Sequence, residues 1–131
     1  MPEAAAIDGG NGDLAGQVRV FKLSRGAWAQ VGQNINGEAA GDKLGWSVAM
    51  SADGRTVAVG APGSRGNGEN AGQVRVFRLS EDVWAQVGQD INGEAAGDKL
   101  GWSVAMSADG RTVAVGAPGY EDNRSKVFSI A

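Results

Sequence analysis

Two residue types on which much protein chemistry depends are missing: the chain has no cysteine and no histidine. Without cysteine there is no disulfide and no thiolate nucleophile. Without histidine there is no imidazole base for a serine nucleophile and none of the usual zinc ligand sets. Proline is scarce, at three residues. No excess of positive charge exists either. The 15 acidic and 12 basic residues are interspersed and sum to −3, so no basic stripe is available to neutralise phosphates, and nucleic acid is not an expected partner. No apolar run approaches the roughly 20 residues of a membrane span, which argues against membrane insertion. The opening MPEAAAIDGG lacks the positive and apolar regions of a secretory signal. That leaves three readings: an intracellular chain, one whose leader was removed, or a piece of something larger.

Glycine is abundant: 22 of 131 residues, against a usual share of about 7%. With few prolines and no collagen period, this composition implies many tight turns. The length suits a single ordinary core. The stretch INGEAAGDKLGWSVAMSADGRTVAVGAPG at residues 35–63 returns verbatim at 91–119. The repeat extends further, because residues 11–66 align with 67–122 at a period of 56 with ten mismatches. The mismatches gather at residues 25–27 against 81–83 and at 64–66 against 120–122, places that read as loop tips or strand starts. A chain that says one thing twice suggests a shape built by repetition, whereas an active site needs one constellation.

Each period contains four strand-like runs. Residues 45–51 put Trp46, Val48 and Met50 on one face, and Ser47, Ala49 and Ser51 on the other. Asp53-Gly54, repeated as Asp109-Gly110, supplies the positive φ of a two-residue hairpin turn. Residues 56–62 form the return strand, 72–80 alternate Val74 and Val76 with Gln73 and Arg75, and 83–91 make the fourth. No window has a helical period. Four antiparallel strands per repeat, packed face to face, are what a propeller blade requires.

The segment GDKLGWSVAMSADGRTVAVGAP resembles the FG-GAP repeat of integrin-type β-propellers, and GQVRVF with WAQVG resembles the remainder of that blade. Gly60-Ala61-Pro62 and Gly116-Ala117-Pro118 match the GAP element, while Leu44-Gly45 and Leu100-Gly101 stand where the family has Phe-Gly. The resemblance covers nearly all of residues 11–119. It implies an all-β fold of two phase-shifted, four-stranded antiparallel propeller blades, with about nine strands. The expected segments are residues 1–10 at the N-terminus, repeats at 11–66 and 67–122, and a short closing strand in 123–131. KVFSI, at residues 126–130, echoes RVFRL after a shortened loop. The resemblance also implies an extracellular or cell-surface setting and a calcium loop between the first two strands. Here that loop is Ser-Ala-Asp-Gly-Arg, with one carboxylate, whereas calcium takes six to eight oxygens. No cofactor is therefore expected.

Several motifs carry two readings. Gly10-Asn11-Gly12-Asp13-Leu14-Ala15 matches a dinucleotide fingerprint, but a strand follows it where the fingerprint needs a helix. Gly45-Trp46-Ser47-Val48-Ala49 approaches a nucleophile elbow with no histidine to serve it. Ser47 and Ser103 read as small polar residues facing the next blade. Asp42 and Asp98 either contribute to a metal or cap a turn through an Asx-type bond. Trp28/Trp84 and Trp46/Trp102 are repeat-related, and serve either inter-blade packing or sugar binding. Asn123-Arg124-Ser125 is a glycosylation sequon. The reading is a non-enzymatic structural or protein-interaction module acting by assembly, adhesion or as a subunit of a larger complex. The alternative is a lectin-like propeller with a glycan site per blade. Two blades cannot close a ring, and the bare faces are expected to carry Val48, Val57, Val59 and Val74. Three or four chains would close one, so the expected partner is the chain itself in a cyclic homo-oligomer, or larger proteins covering the same faces.

Overall fold

The structure, a computed structural model, describes residues 12–119 and the backbone of one further strand. The segment 1–10 and the sequon asparagine Asn123 lie outside the described residues. The strands are β1 (Gln17–Ser24), β2 (Ala27–Asn36), β3 (Ser47–Met50), β4 (Thr56–Ala61), β5 (Gln73–Ser80), β6 (Val83–Gln86), β7 (Ile91–Asn92), β8 (Ser103–Met106), β9 (Thr112–Gly116) and β10 (Ser125–Ser129). All pair antiparallel, and no helix occurs among the described residues. β6 and β7 both pair with β5 and are two ends of one interrupted strand, which gives nine strands among the described residues.

β3-β4-β5-β6 is a complete up-and-down blade. Before it stands a two-stranded sheet, β1-β2, and after it a three-stranded sheet, β8-β9-β10. The register makes β1-β2 the third and fourth strands of a blade: Phe21 pairs with Gln30 as Phe77 pairs with Gln86. β8-β9 repeats the first two strands, Val104 opposite Val115 as Val48 is opposite Val59. β10 takes the third-strand position, with Phe128 opposite Val113 as Phe77 is opposite Val57. Register thus places β10, Ser125–Ser129, as the third strand beside β9.

The fourth strand departs from the sequence expectation of one run over 83–91. Gly88 has φ +74°, and Gly32 has φ +73° at the same place in β2, where the β1-β2 ladder shifts register. A left-handed residue with an irregular ladder is a bulge, and glycine meets its φ without a Cβ penalty. The hairpin after β3 also differs. Its connection spans five residues, 51–55, with Asp53-Gly54 inside it, so the expected two-residue turn is replaced by a side-chain-tied loop.

The core lies between successive sheets. Val18, Ile35 and Leu44 pack with Val57, Val59, Ala61, Phe77 and Trp84. A second cluster joins Val74, Val76 and Leu100 with Val113, Val115 and Ala117, flanked by Val87 and Ile91. Most of its members are the 56-residue translates of the first. A buried valine or leucine is worth roughly 1.5–3 kcal/mol relative to exposure, so these seams carry most of the favourable term. Val57, Val59 and Val74 are fully buried inside the seams, which corrects the expectation that they line bare faces. Val48 alone of that set is open, at 53% exposure.

Small residues let the sheets approach. A Cβ on Gly60 would collide with the Gly101 carbonyl of the next blade and with Ser47 Oγ. In the same place Ser47 Oγ donates to Gly101 O at 2.7 Å. The first glycine of the GAP element is therefore a contact point between blades.

Candidate functional site

The side chains proposed from sequence fall into three places: the turns, the seams and one end of the sheet stack. In the first hairpin, the Asp53 carboxylate is consumed locally. Its Oδ1 accepts from the Arg55 amide at 2.9 Å and the Ser51 hydroxyl at 2.7 Å. Those bonds hold the Asp53 carboxyl below the ordinary value near 3.8. Asp109 is the same, lowered first by Ser107 at 2.7 Å and then by the Arg111 amide at 3.0 Å. Gly54 and Gly110 have φ +73° and +74°, closing the loop. The Ala52 amide donates to Ala108 O at 2.9 Å, so the two turns are linked across blades.

Asp42 and Asp98 are buried. Asp42 Oδ2 accepts from the Ala39 amide at 3.2 Å, and Asp98 Oδ2 from the Glu94 and Ala95 amides, both at 3.1 Å. The Gly63 amide donates to Asp42 O, and the Gly119 amide to Asp98 O. Each aspartate ties the loop after the fourth strand to the end of the GAP element. Among the described residues, no three acidic side chains converge on a common point. Ala61 and Ala117 are buried in the two seams; Pro62 is buried while Pro118 is exposed.

The tryptophans divide. Trp84 is 3% exposed and Trp28 67% exposed, although they occupy equivalent positions. Trp84 reaches across to the preceding sheet. Its Nε1 donates to Val31 O at 2.8 Å, its amide donates to Gln33 Oε1 at 2.8 Å, and Gln33 Nε2 donates to Trp84 O at 2.8 Å. The ring lies over Gly32, where a Cβ would stand 2.5 Å from the indole. Arg75 spans the same seam. It is buried beside Phe77, with its guanidinium 3.5 Å from Glu38 and 3.4 Å from Asn36 O.

Leu79 packs against this seam too, and counting back one period from Arg75, Phe77, Leu79 and Trp84 gives Arg19, Phe21, Leu23 and Trp28. All four are exposed on β1 and β2. The residues are unchanged, and what differs is the sheet on which they would rest. Sequence reading missed Phe21, Leu23 and the Gly32 notch, because a repeat does not announce which copy is terminal. Subtracting the period from each buried seam residue is the signal that finds them.

At one end of the stack, Trp46 and Trp102 lie 4.9 Å apart, tilted by 46°. Lys43 and Lys99 each sit 5.7 Å from the centre of the ring three residues on. Pro62, Gly63 and Asn70 complete this half-open cleft.

The FG-GAP repeat family model matches residues 36–77 and 92–128, together more than half of the chain. The first match ends at Phe77 and the second at Phe128, the two residues that pair opposite Val57 and Val113. Comparison with curated proteins gives no match. Strand register, the GAP contact between blades and the family match agree, and the chain belongs to the FG-GAP repeat family.

Proposed function

We propose that this chain is a non-enzymatic protein-interaction module that works by assembly or adhesion through its blade faces. Its partners are further copies of itself in a cyclic homo-oligomer, or larger proteins that cover the same faces. The observation that carries this reading is the exposure of Phe21, Leu23 and Trp28, whose translates Phe77 and Trp84 are buried and Leu79 packs against their seam. Large apolar side chains gathered on one exposed face mark an interaction surface. The test is a Phe21→Ser, Leu23→Ser, Trp28→Ser triple variant, studied by sedimentation at micromolar concentration and dye binding. Unchanged far-UV circular dichroism, with less association and less apolar dye bound, is the expected result. If the unmodified chain is a monodisperse monomer with a cooperative melt and the triple variant behaves identically, the reading fails.

The carbohydrate reading is supported by the Trp46–Trp102 cleft, where two half-exposed rings stand beside two lysines. It finds no support at Trp84, whose ring is inside the seam. A glycan array separates the readings: binding lost in Trp46→Ala and Trp102→Ala but kept in Trp28→Ala would favour the sugar site.

A further inference from the structure

The exposed face of β1-β2 and the opposite end of the chain are complementary halves of one joint. Inside the chain the joint is complete: Trp84 rests on Gly32, clasped by Gln33 and Val31 O, while Arg75 approaches Glu38. One period later the receiving half returns as Val87, Gly88, Gln89 and Glu94. Gly88 keeps the φ of Gly32, yet among the described residues a Cβ built on it meets no atom within 4 Å. One period earlier the inserting half returns as Trp28, Phe21 and Arg19, exposed. A single chain therefore presents a knob at one end and the matching notch at the other, with opposite charges, Arg19 and Glu94, at translated positions.

The strands repeat this complementarity. Among the described residues β1-β2 has no first and second strand beside it, and β8-β9 has that pair in the same register. Placed beside β1 of a second copy, β9 would set Val113 opposite Phe21 and Ala114 opposite Val20, copying Val57–Phe77 and Ala58–Val76. Val48 and Met50, exposed on β3, would then be covered as Val104 and Met106 are partly covered in the second seam.

We propose that a second copy of this chain docks head to tail, its Trp28 entering the Gly88 notch and its β1 joining the edge of β9. In the isolated chain that edge is taken by β10, which lies in the register that β1 would occupy, with Phe128 opposite Val113. β10 is thus a placeholder that the incoming strand displaces. Each copy contributes one complete blade and two halves, so two, three or four copies give the four, six or eight blades of closed propellers. This inference rests on the interaction-module reading and names its partner.

The test uses the absence of cysteine. The 131-residue chain carrying Val20→Cys and Ala114→Cys is exposed to a mild oxidant and run without reductant. Residues directly opposite in antiparallel strands have Cα atoms about 4.5–5.5 Å apart, within disulfide reach. Covalent multimers that vanish on reduction are expected, with none from either single-cysteine chain. Trp28→Ala in the unmodified background should keep its circular dichroism and weaken association at least about tenfold, as loss of a buried interface tryptophan does. A blue shift of tryptophan emission with rising concentration, lost in that variant, should accompany assembly. A double-cysteine chain that associates but is not cross-linked by the oxidant, or multimers that Trp28→Ala leaves intact, overturn this joint while leaving the interaction-module reading standing. A chain monomeric at 100 µM, roughly the upper working range, overturns the second copy as partner.

Discussion

Trp28 and Trp84 are chemically the same residue in two environments, and substitution should reveal it. Trp84→Ala removes a fully packed indole and leaves Val31 O without its donor. Buried aromatic truncations cost about 3–5 kcal/mol, so the melting temperature should fall by many degrees, read by circular dichroism. Trp28→Ala should leave the melt of a dilute sample within about 0.5 kcal/mol, as surface changes usually do. Equal destabilisation by the two would mean that the seams do not hold the chain together. Glycines discriminate in the same way. Gly54→Val and Gly110→Val both force a β-branched residue to positive φ. A Cβ on Gly110 would also stand 3.0 Å from Thr56 across the seam, whereas one on Gly54 would meet only Met50 Sδ at 3.7 Å. Thermal melts should therefore place Gly110→Val below Gly54→Val, and the reverse order would contradict the turn-to-turn stacking.

At the level of the element, the hairpin loops set an acid limit. Asp53 and Asp109 have folded values below the ordinary 3.8. Their contribution is therefore present above the unfolded value and is lost as pH falls through the folded one. Melting temperature should drop below about pH 4, and less steeply in Asp53→Asn with Asp109→Asn. Parallel slopes would show that the carboxylates do not hold the turns. Because Asp53 Oδ1 and Asp109 Oδ1 are occupied by their own loops, a chelator should leave the melt unchanged and added calcium should not raise it. A calcium-dependent rise of several degrees would require a native-state site that these bonds do not provide. The strands of these elements are legible in the sequence, because alternation and Asp-Gly punctuation are local signals. The five-residue loop is not, because Ser51 and Thr56 close it through side-chain bonds at 3.1 Å and 3.3 Å that no dipeptide encodes. The break at Gly88 is hidden for a related reason: a bulge is set by the neighbouring strand.

At the scale of the whole molecule, the period of 56 makes the blades legible, and the family match agrees with them. The period does not tell which apolar residues are covered. Val57, Val59 and Val74 look exposed on a single repeat and are buried once the sheets stack, since burial depends on a partner in the neighbouring blade. Stacking leaves the two ends unlike, one bearing Phe21, Leu23 and Trp28 and the other an open Gly88 and the edge strand β10. Salt should affect the joint little, because the insertion of Trp28 and the pairing of β1 with β9 need no net charge. The most direct test is the mass of the chain in solution by light scattering from 1 to 100 µM, about the range over which micromolar association shows. Head-to-tail closure predicts a particle of two, three or four times 13.3 kDa that dissociates on Trp28→Ala. A 13.3 kDa particle with a cooperative melt at every concentration would contradict it.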